Sequence, residues 1–262
     1  MVLANAAGWE RRGSTAIALN RRATVLRPSF ATAYQWLGTE LMVSGDPVAG
    51  LAALDHATAL DPRSLVVGSN RSFVLTALGR NAEAHAACER VLAFSPRYRG
   101  CRMRIALVEL QQGDLAAARQ ALVELAQLND PAALPLVHAV VDALQGRGDR
   151  AALARRLAAF PSRSNLDPDS GNVFGADHTT VALIMLGQPD LAMDYLQRSV
   201  AEPGNIPAAC TIMLPALDPI RCSQRFKVLV EKLQARDPRA ATVCGLGAIV
   251  TGPSGKGEKA SQ

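Results

Sequence analysis

Apolar positions in this chain recur at helical spacing in short runs, and two kinds of punctuation cut the runs at a fixed interval. Prolines stand at Arg27-Pro28, Asp61-Pro62, Ser95-Pro96 and Asp130-Pro131, in steps of 34, 34 and 35 residues. Gly45, Gly79, Gly113 and Gly148 step by the same intervals between them. Each gap between punctuation marks holds one helix-length amphipathic run, so each interval predicts two helices. Units then begin near Ala31, Leu65, Arg99 and Leu134. The Asp or Ser before Pro reads as a helix cap with proline at the first helical position, where it forfeits no hydrogen bond.

Within the first unit Tyr34, Leu37, Gly38 and Leu41 fall on one helix, and Gly50, Leu54, Ala57 and Pro62 on or just after the next. Small residues let the helices approach and large ones fill the gap, so the pattern has a packing cause. The second unit keeps Leu75, Gly79, Ala84, Cys88, Val91 and Pro96 in phase, with Gly68 and Arg71 where apolar residues are expected. The third keeps Ile105, Ala106, Gly113, Ala118, Leu122 and Leu125, and the fourth Val137, Val140, Leu144, Gly148, Leu153 and Leu157. With its period of ~34 residues, the pattern resembles tetratricopeptide repeats over about residues 14 to 204. The resemblance implies an all-α fold, a right-handed α-solenoid of helix-turn-helix repeats.

The expected organisation is an incomplete N-terminal repeat at 1–30, four repeats at 31–167, a degenerate fifth repeat with C-terminal capping helices at 168–236, and a disordered tail at 237–262. The array starts inside a unit, which leads us to expect either a short irregular helix over MVLANAAGW or a longer parent protein. A Ser-, Asp- and Pro-rich stretch after Phe160 reads as a loop, and Phe226, Leu229, Val230 and Leu233 share one face of a closing helix. The segment LDPIRCSQRFKVLVEKL is similar to the end of repeat regions in bacterial signalling proteins. There such regions follow winged-helix, adenylate cyclase or kinase domains, none of which this sequence contains. That likeness implies a sensory or regulatory repeat module.

Composition narrows the function class. Hydrophobic residues make up 49% and aromatics only 4%, a profile of closely packed Ala and Leu helices. The 28 Lys and Arg exceed the 23 Asp and Glu, which favours acidic partners without requiring nucleic acid. Five cysteines, Cys88, Cys101, Cys210, Cys222 and Cys244, form no C-x-x-C pair. We expect reduced thiols in the cytoplasm, with Cys210 and Cys222 the pair to test for a bridge and the periplasm as the alternative for a membrane-anchored parent. No basic leader and no run near ~20 apolar residues is seen, so no membrane span is expected.

Catalytic and metal patterns do not form. The stretch TGPSGKG has Val250 where a Walker loop needs Gly and Gly257 where it needs Ser or Thr. His56, His85, His138 and His178 lie in different units without ligand spacing. No enzyme activity, cofactor or metal is expected. The arginine clusters at 97–104 and 147–156 lack interleaved aromatics, so nucleic acid is only an alternative partner. Another alternative is a scaffold subunit of an envelope or secretion complex.

The resemblance also places a groove on the first helices. Its carboxylate-clamp positions fall here on Gln35, Thr39, Asn70, Gly100 and Arg104, without the family's lysines. The expected peptide-binding set is Gln35, Thr39, Asn70, Phe73, Met103, Arg104 and His138, holding an acidic protein or peptide segment. Arg104 is expected to pair with the ligand's carboxylate and to matter little for stability.

Overall fold

The computed structural model describes residues 13–129, 131–160, 175–202, 210–233 and 235–244. The N-terminal MVLANAAGW stretch, the loop after Phe160 and the tail from residue 245, with its phosphate-loop-like segment, lie outside them. Every regular element among the described residues is helical. Helix α1 (Gly13–Leu26) is followed by the pairs α2 (Ala31–Val43) and α3 (Pro47–Leu60), α4 (Leu65–Ala77) and α5 (Asn81–Leu92), and α6 (Arg99–Gln112) and α7 (Leu115–Asn129). A 3₁₀ turn, Pro131–Ala133, leads into α8 (Leu134–Leu144) and α9 (Arg150–Ala158). Beyond the loop come α10 (Ala176–Met185), α11 (Pro189–Ala201), the 3₁₀ turn Pro215–Leu217, α12 (Asp218–Arg221), α13 (Gln224–Lys232) and α14 (Ala240–Cys244). This is an all-α solenoid.

The glycine series makes the turn inside each pair. Gly45, Gly79 and Gly113 have φ of 93°, 73° and 77°, a left-handed conformation that a side chain resists. Just past the first of these turns, the Asp46 carboxylate accepts from the Ala49 N–H at 3.0 Å, with Pro47 at the first helical position. Close approach needs glycine too. A Cβ on Gly38 would sit 2.8 Å from the Gly50 carbonyl oxygen and 2.7 Å from Leu54 Cγ. Leu54 and Leu122 are fully buried between helices.

The recurring prolines work differently from the capping role expected of them. Pro62 and Pro96 precede their helices by three residues, and the structure around them is a turn: Ser64 N–H donates to Asp61 O at 3.3 Å and Tyr98 N–H to Ser95 O at 3.0 Å. Proline's fixed φ suits the second place of such a turn, and its ring bars the preceding residue from helix. The cap at α4 is Ser64, whose hydroxyl accepts from Val67 N–H.

The C-terminal end departs from expectation. Residues 237–244, placed in the disordered tail by composition, are tied to the body. Arg239 Nε and Nη2 pair with the Asp218 carboxylate at 3.0 and 2.5 Å, and Cys244 is bridged to Cys222 with Cα atoms 5.4 Å apart. Composition counted polar residues here and could not see that their charges find partners. The bridge also corrects the expectation of reduced thiols for Cys222 and Cys244, while Cys210, the residue to be tested against Cys222, is a buried free thiol.

Candidate functional site

The inward-facing residues of α2, α4 and α6 form a continuous surface. On α2, Thr39 Oγ1 donates to the Gln35 carbonyl one turn back at 3.1 Å. Asn70 Nδ2 on α4 donates to Thr39 Oγ1 at 3.4 Å, joining the two helices. Phe73, one turn further along α4, is 5% exposed, and the Arg104 guanidinium of α6 lies 3.8 Å from its ring centroid. Thr39 and Asn70 are thus joined across α2 and α4, Phe73 and Arg104 across α4 and α6, and Gln35 and Met103 are buried.

His138 does not join them. Its Nδ1 accepts from Arg119 Nη1 of α7 at 3.1 Å on an exposed flank, where Arg119 also pairs with Asp142. The buried stripe of α8 runs Leu136, Val137, Val140 and Val141, and His138 lies outside it, exposed.

The inner face is covered by the chain itself. Arg104 Nη1 donates to Asp177 Oδ2 at 2.7 Å, so the carboxylate beside this guanidinium comes from the start of α10. His178 Nε2 donates to the Met103 carbonyl at 2.8 Å and its Nδ1 to Asp177 Oδ1 at 2.8 Å. Burial pushes the Asp177 carboxyl up, but His178 and Arg104 outweigh it and hold the group well below the ordinary carboxylate range.

A second segment, Cys210 to Leu214, is buried throughout. Burial drives the Cys210 thiol up to about 12, with Glu40 and Asp177 adding to the rise and Arg104 opposing it. Arg221, 1% exposed, fastens this segment: Nη1 donates to Ile212 O at 3.1 Å and Nη2 to Leu214 O at 2.8 Å. The same guanidinium meets Asp218 at 2.9 Å and Asp237 at 2.7 Å. Next to Asp237, Arg236 N–H donates to Ser44 O at 2.9 Å, and a Cβ on Gly45 would sit 2.2 Å from Arg236 O. The C-terminal part therefore reaches back to the turn between α2 and α3.

Glu40 lies under this cover without an ion-pair partner among the described residues, and burial raises its carboxyl to about 7 from an ordinary 4.5. A folded-state pKa above the unfolded one means that the folded protein holds the proton longer, so stability falls as pH rises from about 4.5 to 7. Glu40→Gln is expected to gain about 3–4 kcal/mol above pH 7, at ~1.4 kcal/mol per pKa unit, and nothing near pH 4. Denaturant unfolding of both proteins across that range checks it; parallel curves would mean that Glu40 is solvated.

Asp177, His178, Glu40 and Arg221 were not singled out from sequence as groove residues. The legible signal was α10 itself, whose residues Ala176 to Leu183 are all buried, polar ones included. A helix that opens on Asp-His-Thr-Thr and continues apolar has no face to give to water.

No protein-family model matches the chain. Among solved structures, it is similar to a crystal structure of a tetratricopeptide repeat protein from Parabacteroides merdae, with a TM-score of 0.51 and 16% identity, covering 92% of this chain and 93% of that one. The fold is an all-α solenoid of tetratricopeptide type. At that identity the likeness carries the fold alone. Among the described residues no helix is long and apolar enough to cross a membrane.

Proposed function

We propose that this chain is a non-catalytic protein–protein interaction scaffold whose inner face takes a carboxylate-bearing peptide segment. The observation that carries the reading is the Arg104 site. A planar guanidinium stacked on Phe73 and paired with a carboxylate is the arrangement that such a ligand needs, and the chain now fills it with Asp177. Thr39 and Asn70 beside it offer an amide and a hydroxyl to a peptide backbone. The bound segment is then in competition with the chain's own cover, which makes the module switchable and fits a regulatory role in a bacterial signalling assembly. The closing segment around Asp218-Pro219-Ile220-Arg221 supports that context. Arginines such as Arg71, Arg80, Arg102 and Arg119 are each spent on a carboxylate of this chain, which favours protein over nucleic acid as the partner.

Affinity capture from the native lysate tests this with Thr39→Val/Asn70→Leu, which replaces both members of a hydrogen bond by apolar groups of similar size and leaves no orphaned partner. Loss of specific partners by the variant is the expected result. An identical partner set with both proteins would remove the inner face from consideration.

The Cys222–Cys244 bridge favours a second reading, a scaffold of an envelope or secretion complex working in an oxidising compartment. Cell fractionation separates the two: a cytoplasmic protein with free Cys222 supports the first, a bridged protein in the periplasm the second.

A further inference from the structure

One edge of the array carries apolar side chains that the fold leaves in water, and they recur with the repeat. Leu26, Leu60 and Phe94 each stand two residues before a turn proline, 34 residues apart, and are 74%, 37% and 40% exposed. Val25 and Val66 extend the patch at 77% and 48%. A single exposed Leu needs no explanation. The same place in three successive units does, because stacked repeats bring equivalent residues into line. Helices packed side by side at about 8–10 Å make that line advance on the order of 10 Å per unit.

The edge is also cationic. Arg22 lies one turn before the end of α1 and Arg90 in the last turn of α5, with Arg27, Arg63 and Arg97 in the turns beyond; all are exposed and none has a carboxylate partner among the described residues. The guanidiniums of Arg27 and Arg63 rest 5.5 and 5.6 Å from the ring centroids of Phe30 and Phe94, held beside the apolar line. Against these five stand two exposed carboxylates, Asp61 and Glu89.

We propose that this edge docks an acidic amphipathic helix of a partner protein, with apolar side chains on Leu26, Leu60 and Phe94 and carboxylates on Arg27, Arg63 and Arg97. Helix geometry matches the spacing: at a rise of 1.5 Å, residues seven apart lie about 10 Å apart on one face. A strand covers that distance in about three residues, and odd steps alternate faces, so every second contact would point away. A membrane is the poorer fit, since the exposed apolar residues come one or two to a unit along the repeat instead of on a broad plane. The surface shares no residue with the inner face and goes beyond the function proposed there.

The test is fluorescence anisotropy on the full chain with a labelled synthetic helix of roughly 20 residues, Leu at i, i+7 and i+14 and Glu on its flanks. Binding is expected, weakening as salt rises. Leu60→Asp/Phe94→Asp should weaken it by about tenfold, as for central apolar anchors, while Arg63→Gln/Arg97→Gln should weaken it about threefold. Leu60 and Phe94 are partly covered, so binding is compared at a temperature where melting curves show every variant folded. Thr39→Val/Asn70→Leu should bind the probe unchanged, which separates this edge from the inner face. A probe with Lys in place of Glu binding equally well, or indifference to Phe94→Asp, overturns the proposal. So does Phe94-dependent binding to phosphatidylglycerol vesicles without binding of the acidic helix, which would make the edge a lipid surface. Phe94-dependent self-association in sedimentation would assign it to a second copy instead.

Discussion

Arg221→Ala is expected to cost about 3–5 kcal/mol, enough to release the C-terminal cover from the inner face at moderate denaturant. The side chain is 1% exposed and its guanidinium serves four acceptors: the carboxylates of Asp218 and Asp237 and the carbonyls of Ile212 and Leu214. Alanine leaves all four in place with nothing between them. Lysine should recover only part, because an ammonium lacks the planar fork that reaches several acceptors at once. The Cys222–Cys244 bridge starts at the next residue and keeps residues 222–244 linked when the ion cluster is gone. The loss should therefore deepen in reductant, since an opened bridge returns chain entropy to the unfolded state. Denaturant melts of wild type, Arg221→Ala and Arg221→Lys, each with and without reductant, measure both effects. A loss below ~1 kcal/mol would place Arg221 at the surface instead of at the centre of this cluster.

What was legible in the sequence was the local part of the fold. The glycine series and the pairing of Gly38 with Gly50 report contacts within one helix hairpin, where steric demands act over a few residues, and the helical solenoid follows from them. Less local features escaped. Asp-Pro and Ser-Pro suit both a cap and a turn, and the choice depends on where the chain must go next. The partner of Cys222 follows from the Arg221 and Arg239 ion pairs that bring α12 and α14 together, which no spacing rule encodes. His138 was carried onto the inner face by counting repeats, but it is exposed on α8 and meets Arg119 of α7, a contact that counting cannot see. The occupant of the inner face was the deepest omission. Arg104 and Asp177 are 73 residues apart, and nothing periodic connects them.

That pair carries the other large effect, and it reverses the expectation that Arg104 is dispensable for stability. Asp177→Asn is expected to cost about 3–5 kcal/mol, because it leaves the Arg104 guanidinium without its anion in a buried site. Arg104→Ala should cost less, since Asp177 keeps its hydrogen bond with His178. The ordering of the two tells which group is the hub. Acid supplies an independent check. Asp177 has a folded-state pKa below its ordinary 3.8, so its stabilising contribution is complete above about pH 4 and is lost as pH falls below that; the Asn variant should lack this loss. Function should move the opposite way from stability. With Asp177 neutral, Arg104 is open to a carboxylate from outside, so an acidic peptide should bind Asp177→Asn more tightly than wild type, measured where both proteins are folded. Weaker or equal binding by that variant would mean that the inner face is a core contact alone, with Arg104 there to hold α10.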